Sequence, residues 1–259
     1  MTFADAKQRF SNRVTEYVRY RPSYPPALLE LMRTECSLRP DHAIADIGSG
    51  TGLLTKLFLE NGNPVFGVEP NAEMRAAGEH VLQGCTNFSS VSGSAEATTL
   101  PSQAVDFITA GQAFHWFNVE LAAKEFRRIL KPGGWVVVVW QDRRMEDTPF
   151  AQAYEDLLER YGVDYKRVKD AYPETEKIRT FFDSGSFHTR DLPNHQVFDW
   201  EGLRGRLRSS SYAPTESHAN YAPMIAHLRR IFDQHHENGS VRMDYFARTY
   251  FGHLPVNAR

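Results

Sequence analysis

Cysteine is scarce in this sequence, and long apolar runs are missing. Cys36 and Cys85 are the only two cysteines among 259 residues, and their spacing matches no metal-binding motif. This argues against a disulfide framework and fits a reducing compartment. No run approaches the ~20 apolar residues of a membrane span. The opening MTFADAKQRF is charged from residue 5 and lacks the apolar core of a signal peptide. We therefore expect a soluble, cytoplasmic protein with no membrane span.

A clear excess of one sign of charge is also missing, since the sequence has 30 basic and 32 acidic residues. Without a basic field, no nucleic-acid partner is expected. The pair His235–His236 and the run RGRLR at 204–208 lack metal or nucleic-acid spacing, and we interpret both as solvated surface. No metal site is predicted, and the sequence indicates no particular oligomeric state. The length is ample for a buried core in one large domain or two small ones.

Apolar runs alternate with helical patterns in the first 140 residues. The predicted strands are 43–48, 64–69, 87–93, 104–110 and 135–140, the third being weak. The predicted helices are 53–61, then 71–83 with Asn71 as N-cap, and 119–130, which KPGG ends. Such alternation predicts an α/β fold with a doubly wound, Rossmann-like, mostly parallel sheet covered on both faces.

The remaining residues are less regular. Helices are predicted at 149–162, 175–185 and 222–239, and strands at 196–200 and 241–251. We expect one domain over 1–259, with a helical cap inserted before the last strands. Its parts are N-terminal helices and a lid (1–40), a cofactor-binding core (41–141), a substrate-side cap with a late strand (142–230), and a final helix end and strand (231–259).

Glycines follow the first predicted strand in DIGSGTG, where they run GxGxG. The dinucleotide fingerprint runs GxGxxG, because a pyrophosphate needs the helix N-terminus at that point. The loop is therefore better suited to an amino-acid-sized group than to NAD. After the second strand comes Glu69, whose carboxylate could accept hydrogen bonds from two ribose hydroxyls. The alternative is a solvated loop acid, but its pairing with the glycine loop favours binding.

The order of DIGSGTG, VEPNAEM, GSAEATTLP, VDFITAGQAFHWF and RRILKPGG resembles the class I S-adenosylmethionine-dependent methyltransferases. The chain is most similar to their small-molecule branch, which includes the ubiquinone/menaquinone, biotin-pathway and trans-aconitate methyltransferases. The match covers roughly residues 40–140. YVRYRPSYPP also resembles the opening segment of some members, whereas the C-terminal part matches only loosely.

The resemblance implies methyl transfer from S-adenosylmethionine to an O, N or C atom of a small molecule, with S-adenosylhomocysteine as product. An RNA or protein methyltransferase and a non-catalytic S-adenosylmethionine-binding protein are the alternatives. It further implies that residues 48–50 hold the methionine moiety, Glu69 the ribose, and Met74, Ala95 and Glu96 the adenine. Ser94 stands where many relatives carry an acid. The predicted cofactor-binding residues are Tyr20, Arg21, Asp46, Gly48, Ser49, Gly50, Glu69, Met74, Ala95, Glu96 and Gln112.

Four ring-bearing residues stand together in GQAFHWF, after the fourth predicted strand. Their faces could exclude water and attract a sulfonium, while Gln112 contacts the methionine end. The alternative is that the aromatic rings are core residues, which we prefer for Phe117 and leave open for Trp116. His115 is a candidate general base, because an imidazole has an unperturbed pKa near ~6.5, or else a structural residue.

The same resemblance implies that residues 10–26 form a lid over the cofactor. Tyr17, Tyr20 and Tyr24 lie within it, and its prolines stiffen an extended segment. Arg21 could pair with a carboxylate of the cofactor or of the substrate. The alternative is a surface strap that packs its tyrosines on the sheet.

Overall fold

The computed structural model describes residues 14–166, 175–182 and 187–254. Predictions on other residues lie outside this part of the chain, including the first residues of the lid and the end of the helix expected at 175–185. The side chain of Tyr17 is likewise not described. The helices are α1 (Val14–Tyr20), α2 (Ala27–Cys36), α3 (Leu53–Glu60), α4 (Ala72–Val81), α5 (Val119–Ile129), α6 (Pro149–Tyr161), α7 (Thr175–Phe181), α8 (Trp200–Arg208) and α9 (Tyr221–His235).

The strands are β1 (Ile44–Ile47), β2 (Val65–Val68), β3 (Phe88–Val91), β4 (Val105–Gly111), β5 (Leu130–Arg143), β6 (Phe187–Phe198) and β7 (Val241–Gly252). They form one sheet in the order β3-β2-β1-β4-β5-β7-β6. The first five are parallel, and β7 is antiparallel to both of its neighbours. The predicted doubly wound, mostly parallel sheet is confirmed. From β1 the chain proceeds toward one edge of the sheet, and from β4 it proceeds toward the other. Ligands of such sheets bind at this reversal of strand order, between β1 and β4.

The sheet is buried on both faces by helices. Val136 and Val138 of β5 belong to one hydrophobic cluster, and Val137 and Val139 belong to the cluster on the opposite face. This follows from the two-residue period of a strand, which sends successive side chains to opposite faces. A third cluster joins α6, α8 and α9 to the start of β7.

Polar caps fix where the helices begin. The side chain of Asn71 accepts hydrogen bonds from the backbone N–H groups of Glu73 and Met74, so the predicted N-cap is confirmed. Asn118 caps α5 by accepting from Leu121. Asn71 stands three residues beyond the end of β2, and Asn118 follows the turn after β4, so both caps fix their helices beside the carboxyl edge of the sheet.

The last third of the chain departs from the predicted element bounds. Strand β6 is longer than the 196–200 expected, and Trp200 begins α8, for which Asp199 is the cap. Strand β6 lies at the edge of the sheet with mostly exposed side chains, so its sequence shows no apolar run. It also divides the cap, because α6 and α7 precede it while α8 and α9 follow. Strand β5 starts earlier than predicted, with an irregular register after Leu130.

The interpretation of RGRLR as solvated surface is wrong for its middle residues. Arg206 is only 4% exposed, and Gly205 is buried because the ring of Tyr20 packs on it. The flanking arginines do lie nearer to solvent, where Arg204 pairs with Glu201. None of the helices in the described ranges has the length and apolar composition to cross a membrane.

Candidate functional site

The glycine loop turns tightly at the end of β1. Gly48 and Gly50 have φ of +70° and +55°, in the left-handed region that favours glycine. A Cβ added to Gly48 would stand 2.5 Å from the Cβ of Ala113, beyond β4. The N–H groups of Gly48 and Ser49 both donate to Val68 O, at 2.8 and 3.2 Å. The loop is therefore held between the ends of β2 and β4, at the point where the strand order reverses.

Glu69 follows β2 and connects the loop to α4. Its buried carboxylate accepts from Gly50 N at 2.9 Å and from Asn71 N at 2.8 Å. Arg75 Nη1 donates to the backbone oxygen of Glu69 at 2.9 Å. Met74 is also buried, and a Cβ on Gly50 would stand 3.3 Å from its Cε. The carboxylate, the thioether and the loop backbone thus meet, and the interpretation of Glu69 as a solvated loop acid is wrong.

Asp46 lies inside the sheet. It is 1% exposed and accepts from Thr55 Oγ1 at 2.6 Å and from Thr109 Oγ1 at 3.0 Å. Burial raises the pKa of this carboxyl to about 6, against the opposing effect of the two hydroxyls. These contacts tie β1 to α3 and β4 directly below the glycine loop. A contact between Asp46 and the cofactor stays a prediction.

The loop after β3 approaches the start of α5. Ser94 and Ala97 exchange two backbone hydrogen bonds of 3.1 and 3.2 Å, and Ala95 between them is buried. Glu96 Oε1 accepts from Asn118 N at 2.8 Å. The carboxylate of Glu96 therefore links this loop to the end of the aromatic turn. Its role toward adenine remains untested.

The aromatic turn after β4 has a buried part. Phe114 is fully buried, and its ring meets Trp140 and Phe181 edge to face at 5.9 and 5.1 Å. Phe117 is also buried and lies 5.6 Å from the ring of Phe114. The core interpretation of Phe117 is confirmed, and Phe114 shares it. Trp116 is partly buried against the same cluster.

His115 and Trp116 are the partly exposed rings of the turn, 4.7 Å apart between centroids. Part of the surface of His115 is accessible, but neighbouring atoms surround the ring closely enough to desolvate it. Burial, followed by the ammonium of Lys177, lowers the pKa of His115 to about 3. The ring is therefore neutral at pH 7 and a weaker base than its unperturbed value suggests. Its catalytic role remains a hypothesis.

The extended segment 20–26 crosses the carboxyl edge of the sheet. Tyr24 is buried at the end of β4, where a Cβ on Gly111 would overlap its hydroxyl. The backbone oxygen of Ser23 accepts from Gln141 Nε2 at 3.1 Å and from Asn194 Nδ2 at 2.7 Å. This segment is thus fastened to β5 and β6 above the strand ends.

The same edge holds Gln112, directly beyond β4. Its φ is +57°, its N–H donates to Val139 O at 2.9 Å, and its Nε2 lies 3.3 Å from Gln141 O. A non-glycine residue in this conformation is uncommon and is held here by both contacts. Gln112 is therefore fixed to the end of β5, where Gln141 in turn holds the segment above it.

Two predicted residues, Tyr20 and Arg21, stand at the start of segment 20–26. Tyr20 packs its ring on Gly205, and its backbone oxygen accepts from Gln196 Nε2 at 3.2 Å. Arg21 Nη2 donates to Ser209 O at 2.9 Å. All three contacts are made to the cap side of the edge, on α8, its C-cap residue and β6. The structure thus brings the glycine loop, Glu69 and Gln112 together at the sheet edge and sets Tyr20 and Arg21 against the cap.

This fold and site define the class I, Rossmann-like methyltransferase arrangement. Residues 45–138 match a family model described as a methyltransferase domain. An uncharacterized methyltransferase of Schizosaccharomyces pombe is 32% identical over 58% of this chain and 59% of its own length. A protein of Dictyostelium discoideum described as a methyltransferase is 30% identical over 71% of this chain and 70% of its own.

Among solved structures, one described as a type II methyltransferase from Anaeromyxobacter dehalogenans has a TM-score of 0.66. The structural alignment covers 92% of this chain and 100% of that one. At 21% sequence identity, this likeness supports the fold alone. The chain spans a little over half the length of the S. pombe relative. On the family model and the D. discoideum match, the chain belongs to the methyltransferase-domain family.

Sequence reasoning missed a group of charged and phenolic side chains between β5 and the cap. Arg143, Glu155, Tyr165 and Tyr212 contact one another there. These residues come from distant parts of the chain, so no local spacing could reveal them. No group of three or more His, Cys, Asp or Glu side chains within the described ranges could hold a metal ion.

Proposed function

We propose that the chain transfers a methyl group from S-adenosylmethionine to an O, N or C atom of a small molecule. The observation that carries the proposal is the buried Glu69 carboxylate, bonded to the loop N–H of Gly50. A carboxylate at the end of β2 beside a glycine turn suits a ribose diol. The GxGxG spacing leaves room for an amino-acid group where a dinucleotide would need a helix N-terminus.

The residues around this carboxylate fit the cofactor. Gly48 and Gly50 hold the loop in a left-handed backbone closely packed against Ala113 and Met74, so its peptide groups are not screened by side chains of their own. In this proposal residues 48–50 hold the methionine moiety together with Gln112. Ala95 and Glu96 border the adenine, and Asp46 supports the loop from below. Tyr20 and Arg21 act from the cap side.

When bound, S-adenosylmethionine supplies an electrophilic methyl group on a positively charged sulfur. The protein then has to orient the acceptor and keep water out. Segment 20–26 and the aromatic turn are suited to excluding water, because Tyr24 and Phe114 are buried at this edge. A general base is needed only when the acceptor must lose a proton to react.

The covered edge favours a small acceptor. Segment 20–26 is fastened over the strand ends by the Ser23 contacts, and the cap helices stand beside it. A polynucleotide or a folded protein would need that edge to be open. The net charge of −2 gives no general attraction for nucleic acid. We also propose that residues 1–259 act as a single domain, in which 142–230 form the substrate-side cap.

Calorimetric titration tests the cofactor first, with S-adenosylhomocysteine and, as comparison, NADH. Binding of the former alone supports the proposal, and binding of NADH alone overturns it. Methyl-labelled S-adenosylmethionine should then be incubated with a small-molecule extract, with tRNA and with unfolded protein. Label in the small-molecule fraction is expected. Label confined to RNA or to protein would show that the acceptor belongs to that class and is not a small molecule. Binding without transfer to any pool would favour a non-catalytic protein.

A further inference from the structure

Arg143 stands at the end of β5 among three polar side chains of the cap. Its guanidinium donates to Tyr212 Oη and Tyr165 Oη, both at 2.8 Å, and to Glu155 Oε2 at 3.1 Å. Tyr165 itself donates to Glu155, with its hydroxyl 2.6 Å from one carboxylate oxygen and 2.7 Å from the other. Within the described ranges, Arg143 therefore has one anionic partner, Glu155, which it shares with a phenol.

Arg206 adds a second guanidinium from α8. It is 4% exposed, and its described donors reach Ser210 Oγ at 2.9 Å and Tyr245 Oη at 3.3 Å. Both partners are neutral hydroxyls. A buried cation of this kind is costly unless an anion compensates it.

The two guanidinium groups and Arg21 act on one phenol, that of Tyr212. Burial would raise the pKa of Tyr212, but Arg143, Arg206 and Arg21 together lower it to about 8. Arg143 and Arg206 are thus two largely buried cations of the cluster, and among the described residues Glu155 is the carboxylate that contacts it. Such an excess of buried positive charge is typical of an anion-binding site.

Tyr154 independently indicates a ligand-binding position. Its side chain is 2% exposed, and its hydroxyl has no hydrogen-bond partner among the described residues. The guanidinium of Arg143 lies over its ring, 5.4 Å from the centroid. Buried hydroxyls nearly always find a partner in the protein, in water or in a ligand. This donor lies beside the converging cations.

The cluster lies on the acceptor side of the sheet edge. Arg143 is two residues beyond Gln141, whose backbone oxygen contacts Gln112 at the end of β4. Arg21, in the segment that crosses the strand ends, donates to Ser209 O at the end of α8 and adds to the positive field at Tyr212. The cations thus stand above the carboxyl edge, between the cap and the position proposed for the cofactor.

We propose that Arg143, Arg206 and Tyr154 bind a carboxylate group of the methyl acceptor. The proposal rests on the proposed function and specifies its substrate class as a small carboxylic acid. A carboxylate matches the forked geometry of a guanidinium and accepts a hydrogen bond from a phenol. Bound there, it would compensate the excess of positive charge and accept a hydrogen bond from Tyr154, whose hydroxyl has no partner in the described part of the chain.

Arg206→Met is the decisive variant, because Arg206 has neutral partners and its loss leaves no described carboxylate unpaired. Tyr154→Phe removes only the hydroxyl. Arg204→Met is the matched control, since Arg204 lies on the same helix but pairs with Glu201 nearer to solvent. Arg143 is less suitable, because its removal would strand Glu155.

Binding should be followed by thermal shift and calorimetry at low salt, with acetate, succinate, citrate and phenylacetate, and with phosphate and succinamide for comparison. We expect at least one carboxylate to bind the wild type and the Arg204→Met variant, and to bind tenfold or more weakly to Arg206→Met and Tyr154→Phe. Without ligand, both decisive variants should melt at or above the wild-type temperature, because each removes an uncompensated group.

Equal carboxylate affinity in Arg206→Met and the wild type would overturn the proposal. So would binding of phosphate or succinamide alone, or of no probe. The titrations are run with and without S-adenosylhomocysteine. Carboxylate binding in a protein that does not bind S-adenosylhomocysteine would refute the proposed function while leaving the anion site in place. Binding of S-adenosylhomocysteine with no carboxylate binding would refute the carboxylate site while leaving the proposed function in place.

Discussion

Gly48 and Ala113 lie so close together that a Cβ on Gly48 would stand 2.5 Å from the Cβ of Ala113. The first glycine of the loop after β1 is thereby packed against the start of the aromatic turn after β4. The two strand ends that flank the reversal of strand order can approach only because one side chain is a hydrogen. This contact couples the geometry of the loop to that of the turn.

Replacement of Gly48 by alanine should therefore cost more than backbone strain alone. The left-handed backbone adds about 1–2 kcal/mol, and the overlap with Ala113 adds about 1–3 kcal/mol. Gly84→Ala is the matched control, because Gly84 has φ of +91° and no atom within 4 Å of an added Cβ. Urea unfolding should show a larger loss of free energy for Gly48→Ala. Equal losses would refute the packing argument.

Glu69 is expected to dominate binding of S-adenosylhomocysteine. Glu69→Ala removes the acceptor for Gly50 N and Asn71 N and, by our proposal, for the ribose hydroxyls. Affinity in calorimetry should fall at least tenfold, or about 1.4 kcal/mol, while Glu69→Gln should lose less because it retains one acceptor oxygen. Glu73→Ala, an exposed acid two residues into α4, is the control. A folded Glu69→Ala protein with unchanged affinity would remove the ribose assignment.

The sequence predicts best those parts of the fold that local patterns determine. The run WVVVVW identifies β5 because a strand buried on both faces needs continuous apolar residues. Asn71 is recognisable as a cap because its side chain acts within three residues of itself. The glycine loop and Glu69 follow from their positions at strand ends, which a parallel sheet brings to one edge.

The rest depends on distant neighbours. Arg206 is predicted to lie at the surface because arginine is usually exposed. In the fold, however, its guanidinium donates hydrogen bonds to Tyr245 and Ser210. The full length of β6 cannot be predicted from the sequence, because an edge strand buries few side chains and has no apolar run. The pKa of His115 depends on packing and on Lys177, which is 62 residues away in the chain. None of these neighbours is specified by local spacing.

Asp46 should make stability depend on pH. Its pKa is raised from 3.8 to about 6 in the folded protein, so folding favours the protonated form. The stabilising contribution is full below pH ~3.8 and is lost as pH rises through about 6, which amounts to a cost on the order of 3 kcal/mol at neutral pH. Asp46→Asn mimics the protonated form and keeps polar contacts to Thr55 and Thr109. Its unfolding free energy relative to wild type should rise between pH 4 and pH 7. A constant difference would contradict the shift.

Segment 20–26 should be sensitive to cofactor. Arg19 is exposed just before it, so trypsin can report on whether the segment is closed. S-adenosylhomocysteine should slow cleavage at Arg19. Asn194→Ala, which removes the 2.7 Å bond to Ser23 O, should speed cleavage and weaken cofactor binding. Asn87→Ala is a comparable loss of a side-chain bond to backbone far from the segment, at Asn63 O. Equal rates with and without cofactor would favour a fixed strap over a lid.

His115 provides the last test, because its low pKa separates two roles. Burial and Lys177 hold the pKa at about 3, so the ring stays neutral from pH 5 to pH 9 and should produce no acid limb in kcat over that range. Titration of histidine-labelled protein by NMR should show the His115 signal unchanged down to pH 5. His115→Gln keeps a hydrogen-bonding side chain and should retain most of kcat. His115→Ala should instead raise KM, because the ring beside Trp116 then orients the acceptor and removes no proton. A loss of 10²-fold or more in kcat for His115→Gln, the lower range for general base catalysis, together with a pKa near 6.5, would restore His115 as the base.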